Sequence, residues 1–151
     1  QPAVRHVRGA QPAQQAAVEA ALGQPVGALV RAARMLIAEL ADEQAVRALQ
    51  PDFRAIATLD CFGLSVTARG VACDFVSRFF APQAGIDEDP VTGSAHCGLV
   101  PYWSGNLGKQ LLLARQVSAR GGELQCELRG ERVLMGGHAV LYGEGSILLP
   151  D

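Results

Sequence analysis

With 151 residues, 49% of them apolar, the chain has the length of one domain and too much hydrophobic content for a disordered polymer. Thirteen basic against fifteen acidic residues leave a formal charge of −2. The basic residues are scattered and never interleave with stacking aromatics, so neither nucleic acid nor an anionic membrane is an expected partner. Four cysteines (Cys61, Cys73, Cys97 and Cys126) lack any paired spacing, and His6, His96 and His138 lie far apart. That pattern argues against a metal site and reads as free thiols in a reducing, cytoplasmic compartment. The chain opens on Gln1 rather than methionine, as a fragment or processed product would.

Residues 1–12, rich in Gln, Pro, Ala and Arg, read as a linker. Residues 12–22 favour a short helix that Gly23 ends. The first division of the chain is therefore set at 1–24, linker and short helix, followed by a lobe over 25–151. The apolar stretch 27–40 is interrupted by Arg31 and Arg34 and is no membrane span. Its local preference is divided, and only 35–40 reads as a strand. Asp42 caps a helix through Leu49 that places Ala45, Val46 and Leu49 on one face, and Pro51 stops it. Residues 53–59 form a further helical turn.

Over 62–68, Leu64, Val66 and Ala68 alternate with Ser65 and Thr67, the pattern of a half-buried strand. Residues 73–80 predict a strand covered on both faces, with Phe75 and Phe79 opposite Val76 and Phe80. A central helix follows over 94–107, closed by Gly108, and Pro101 inside it predicts a kink or a change of helix. Strands are expected over 109–118, 123–128 and 132–142, joined by turns at Gly121-Gly122 and Arg129-Gly130, with 146–149 adding an edge. The sum is an α+β fold, an antiparallel sheet curled around the central helix.

The chemistry concentrates in Asp87-Glu88-Asp89-Pro90-Val91-Thr92-Gly93-Ser94-Ala95-His96-Cys97. Its order is that of an extended segment dropping into a helix N-terminus. Pro90 tolerates an early turn position, Thr92 or Ser94 can cap, and Gly93 allows close approach to the backbone. Free N–H groups there form a small anion site, aided by the helix dipole. Asp89 stands beside it, able to take or orient a proton. The same string is also ordinary capping chemistry.

Glu88-Asp89-Pro90-Val91-Thr92-Gly93-Ser94-Ala95-His96 resembles the signature of the phenazine-biosynthesis isomerase (PhzF-like) family, which has the diaminopimelate-epimerase fold. The resemblance extends to Asp74-Phe75-Val76-Ser77-Arg78-Phe79-Phe80-Ala81-Pro82, Pro101-Tyr102-Trp103 and Ser118-Ala119-Arg120-Gly121-Gly122, and covers most of the chain from about Met35. It implies one of the two facing lobes of that fold and a cofactor-free isomerase or epimerase acting on a small carboxylated substrate. By motif match, Asp89 and Ser94 are the implied catalytic residues, with Asp89 relaying the proton. The Gly93, Ser94 and Ala95 segment would hold the substrate carboxylate.

The family's N-terminal lobe carries a catalytic glutamate and a Cys-Gly-His segment, and neither pattern occurs here. The resemblance therefore implies a C-terminal lobe with half a site, awaiting an N-terminal lobe or a homodimer partner. The alternative is a non-catalytic ligand-binding or interaction domain that keeps the anion-binding turn. No motif for a metal, nicotinamide, flavin or pyridoxal cofactor is present. His96 and Cys97 are expected to pack or cap, Tyr102 and Trp103 to lie in the core, and His138 to sit in a strand. Arg120 is read equally as a cleft residue or as an exposed turn charge.

Overall fold

The computed structural model describes residues 8–148; the expected linker before Arg8, with Gln1 and His6, and the Leu149 end of the expected edge strand lie outside the described residues. Among the described residues nine strands form one sheet: β1 (Arg8–Gly9), β2 (Ala28–Ala32), β3 (Met35–Glu39), β4 (Gly63–Arg69), β5 (Phe75–Ala81), β6 (Ile86–Asp89), β7 (Leu111–Gln116), β8 (Gly122–Arg129) and β9 (Arg132–Gly136). Four α-helices among the described residues accompany them, α1 (Pro12–Leu22), α2 (Glu43–Ala48), α3 (Phe53–Ala57) and α4 (Gly93–Leu107), with a short 3-10 helix at Pro82–Ala84. The order across the sheet is β1-β2-β3-β4-β5-β7-β8-β9, with β6 added to β5.

Neighbours pair antiparallel except β3 with β4 and β5 with β7, which run parallel. Each parallel step needs a long crossover. The first crossover carries α2 and α3, the second carries β6 and α4. The α+β class and the sheet curled around α4 match the sequence reading, with these two parallel joins added.

Strand alternation sorts the side chains onto two faces. Leu36, Ala38, Leu64, Val66, Val76 and Phe80 face a first core closed by α1, α2 and α3. Ile37, Phe75, Phe79, Leu112, Ala114, Leu124 and Cys126 face a second core filled by Leu99, Val100 and Trp103 of α4. The strand expected over 62–68 is thus not half-buried: Phe62 is exposed and lies outside it, but β4 is buried from Gly63 to Ala68, because helices cover both of its faces. β5 is covered on both faces as expected.

Helix ends follow local chemistry. The Asp42 carboxylate accepts from Ala45 N–H at the start of α2, and Asp52 accepts from Arg54 and Ala55 N–H at the start of α3. Gly23 and Gly108 close α1 and α4 in the left-handed conformation that suits glycine. α4 runs as one helix through Pro101, where the sequence suggests a kink or a change of helix. Pro101 gives up the amide that would bond the Cys97 carbonyl, while Leu99, Val100 and Trp103 keep the helix packed on both sides of that gap.

Three stretches differ from the sequence expectation. Residues 28–32 are a strand: β2 pairs with β3 across a tight turn in which Ala33 has φ 53°. Arg8–Gly9, within the expected linker, pairs with β2, and α1 buries Val18, Ala21 and Leu22 in the first core. β9 ends at Gly136, so His138 is not in a strand and residues 146–148 add no edge. The run beyond β9 has no sheet neighbour to bond, and its Val140, Leu141, Tyr142, Ile147 and Leu148 are almost wholly exposed.

Candidate active site

The geometry of the site begins with β5. One edge of this strand pairs with β4 along its length. The other edge is shared: Phe75, Val76 and Ser77 pair with β7, and Phe79 and Ala81 pair with β6. A fork opens between β6 and β7 where the partner changes. Asp89, opposite Phe79, ends β6; Gln116, opposite Ser77, ends β7. The two strand ends meet in the fork, and the loop 90–92 leads from it into α4.

Alternation sends Glu88 and Asp89 to opposite faces. Glu88 pairs bidentately with Arg78 at 2.7 and 2.8 Å. Arg78 also donates to the Val46 and Leu49 carbonyls at the end of α2. Glu88 is thus tied into the α2 side of the sheet. Asp89 shares the α4 face with Phe79, is half-buried, and accepts a hydrogen bond from the Thr92 hydroxyl.

Thr92 is the N-cap residue of α4, but its hydroxyl makes no capping bond. It is committed to Asp89, while the Thr92 amide donates to Gln116 Oε1 at 2.7 Å. Gln116 Nε2 donates to the Asp89 carbonyl at 2.7 Å and to Thr92 Oγ1 at 3.0 Å. Ser118 Oγ donates to the Pro90 carbonyl at 2.7 Å and accepts from Gly121 N–H. Gly122 touches the same loop, and a Cβ there would stand 2.4 Å from Val91 Cγ2. The motif is therefore clasped by the end of β7 and the turn into β8.

Beyond the clasp the helix start is open. Gly93 and Ser94 are exposed, and a Cβ on Gly93 would meet nothing within 4 Å. The amides of Gly93, Ser94 and Ala95 have no acceptor among the described residues. Three N–H groups at the positive end of a fifteen-residue helix can receive an anion. The Ser94 side chain is exposed beside them, whereas Ala95 turns its methyl into the core. The structure thus brings Asp89, Gly93, Ser94 and Ala95 into one corner.

His96 and Cys97 behave as packing residues. His96 is 0% exposed and its Nδ1 lies 2.8 Å from the Thr92 carbonyl, which can only accept, so the proton is on Nδ1. Burial lowers its pKa and holds the ring neutral, leaving buried Nε2 without a partner among the described residues. Burial also raises the Cys97 thiol. Trp103 is buried and donates to Thr67 Oγ1. Tyr102 donates to Glu39, and burial, followed by that bond, pushes its pKa up to about 12. Arg120 is exposed on the turn before β8. Among the described residues no three His, Cys, Asp or Glu side chains cluster closely enough to hold a metal ion.

Sequence reasoning missed Gln116. The available signal was period two: Leu112 and Ala114 point inward, so Gln116 must point inward too, and a buried amide needs partners.

An open helix N-terminus set beside a fixed carboxylate, on a curled sheet, is a lobe able to seat a small anion where a proton can be moved. The family model described as "Phenazine biosynthesis-like protein" matches residues 1–145, and the chain belongs to that family. A Pseudomonas aeruginosa protein called an uncharacterized isomerase is 57% identical over 132 residues, 87% of this chain and 51% of that protein. A human phenazine biosynthesis-like domain-containing protein is 49% identical over 92 residues, 56% of this chain and 32% of that one. The crystal structure of an Enterococcus faecalis phenazine biosynthesis protein of the PhzF family superposes with a TM-score of 0.83 at 43% identity, covering 95% of this chain and 54% of that one. The chain spans about half the length of the first of these relatives. Among the described residues, no helix is long and apolar enough to cross a membrane.

Proposed function

We propose that this chain supplies one lobe of a cofactor-independent isomerase or epimerase that moves a proton on a small carboxylated substrate. The observation that carries the reading is Asp89, held by Thr92 at the mouth of the open α4 N-terminus. A substrate carboxylate would accept from the Gly93, Ser94 and Ala95 amides, with the Ser94 hydroxyl beside it. In that seat the neighbouring C–H bond would face Asp89, which would take or return the proton. General acid–base help of this kind is worth roughly 10²- to 10⁴-fold.

The second proton-handling group comes from a facing lobe. Coverage of about half of the isomerase-named relative supports this, as does the exposed apolar run of Val140, Leu141, Tyr142, Ile147 and Leu148. The partner is the family's N-terminal lobe, with a second copy of this chain as the other candidate.

The test is deuterium incorporation from heavy water into small carboxylic acids with an activated C–H bond. We expect exchange when this chain is joined by an N-terminal lobe, and none from the chain alone. In the joined protein, Asp89→Asn should slow exchange at least roughly 10²-fold, with unchanged circular dichroism. Full exchange by the Asn variant, or by the lone chain, would overturn the reading. Carboxylate binding without exchange in the joined protein would instead mark a ligand-binding domain.

A further inference from the structure

The Asp89 carboxylate is held by a side chain that does not touch it. Gln116 is 1% exposed, and all of its polar groups are engaged. Its orientation follows from its partners. The Thr92 amide can only donate, so the Gln116 atom facing it must be the oxygen. The Asp89 carbonyl can only accept, so the atom facing it must be the nitrogen. The second N–H of that same nitrogen then points at Thr92 Oγ1.

This arrangement removes the freedom of the Thr92 hydroxyl. A hydroxyl has one proton to give and lone pairs to receive with. Because Gln116 donates to Oγ1, the Thr92 proton must leave in another direction, and the acceptor in reach is Asp89 Oδ2. Donation in series runs from Gln116 to Thr92 to Asp89. One carboxylate oxygen is thereby capped and the other is left for chemistry. An Asp at that place without the series would be free to rotate about χ1 and χ2.

We propose that Gln116 is a positioning residue: through the Thr92 hydroxyl it fixes which oxygen of Asp89 is free to handle a proton. The functional part of this proposal rests on the isomerase reading; the geometric part does not. The fork explains why β7 supplies the residue. Gln116 is the only side chain of β7 that both points to the α4 face and stands level with the end of β6.

Two experiments test it. In the 151-residue chain, three-bond couplings to the Asp89 side-chain carboxyl carbon report its χ1 rotamer. A single rotamer is expected in the wild type and in Thr92→Ser, and averaging in Gln116→Leu and in Thr92→Val. Thr92→Val keeps the side-chain shape, so the proposal stays open to refutation if Gln116→Leu fails to fold. A single Asp89 rotamer retained in Thr92→Val, or in a folded Gln116→Leu, would overturn it.

The second experiment reads deuterium exchange in the chain joined to its N-terminal lobe. Gln116→Leu and Thr92→Val should each lower kcat by roughly 10- to 10²-fold, the cost of a small misplacement, with KM within about twofold. Thr92→Ser should restore most of the rate. The double variant should be no slower than the slower single one, since both remove the same series of bonds. Additive losses would mean that Gln116 acts by packing alone and would overturn the relay. Absence of exchange in the wild type, with the rotamer result standing, would remove the isomerase reading and leave the positioning role intact.

Discussion

Between the sheet and α1–α3, the buried core consists of Val, Leu, Ile, Ala and Phe80 alone, while across the same strands, beneath α4, the filling is different. Seven polar side chains are buried among the described residues: Ser65, Thr67, Ser77, Thr92, His96, Ser104 and Gln116. By strand alternation and position on α4, all of them belong to the α4 side. Ser65, Ser77 and Ser104 hydroxyls and His96 Nε2 find no partner there. Unsatisfied buried groups cost stability, of order 1–3 kcal/mol each. Both faces bury an apolar core, but only the α4 face carries the cost of buried polar groups. Glu88 and Asp89, adjacent in sequence, divide along the same line.

The largest expected effects probe whether the two faces are separable. Phe80→Ala, in the aliphatic core, should cost about 3–5 kcal/mol in urea unfolding. The protein that remains folded should keep whatever carboxylate affinity the wild type has. Phe75→Ala should cost a similar amount, but Phe75 lies against His96 and stacks on Trp103, with centroids 5.9 and 5.8 Å away. It should weaken carboxylate binding as well. Equal binding by the two folded variants would break the comparison.

A smaller effect is expected at the clasp. Gly122→Ala drives a methyl into Val91 and should cost about 1–3 kcal/mol. Val91→Ala in the same chain should return most of that loss, read as a coupling in thermal unfolding.

The α4 side should also own a pH dependence. Burial lowers the His96 pKa from its ordinary 6.5, so the folded protein keeps the ring neutral while the unfolded chain takes up a proton below that value. Stability from this group is complete above about pH 6.5. It falls as the pH drops, by at most about 1.4 kcal/mol per pH unit, until the folded ring itself protonates. His96→Gln should flatten the stability curve between about pH 7 and about pH 5. A slope unchanged by that substitution would place the titrating group elsewhere.

The smallest change expected is at Asp52, which caps α3 on the far side of the sheet. Asp52→Ala should lower stability by about 1 kcal/mol and leave carboxylate binding untouched.

How much of this was legible follows the same division. The cap at Asp42, the glycine stops and the alternation in β4 and β5 are local signals, and they locate most of the first core. β2 was hidden because Arg31 breaks its apolar period, and Ala and Leu favour helix locally. Its strand form comes from the ladder with β3, and Arg31 reaches out to Asp60. β6 was legible only as an extended lead-in to α4, because Ile86–Asp89 is acidic and has little strand preference of its own; the β5 ladder and the Glu88–Arg78 pair make it a strand. In the site, Asp89, Gly93, Ser94 and Ala95 were legible from one contiguous motif. Gln116 lies 24 residues from Thr92, and no local pattern joins the two.

The fork on β5 bears on the order in which the molecule comes apart. β7, β8 and β9 are joined to the rest of the sheet by three register pairs, Phe75 with Ala114, Val76 with Arg115 and Ser77 with Gln116. β4 and β5 share six. A short seam between two longer ladders is the expected place for local opening, with the amides on either side of it exchanging as separate cooperative units. Parting there withdraws Gln116 from the 89–92 loop while the aliphatic core stays closed. The corner around Asp89 is thus expected to open before the aliphatic core does, and faster hydrogen exchange at the β7 amides than at those of β4 would show it.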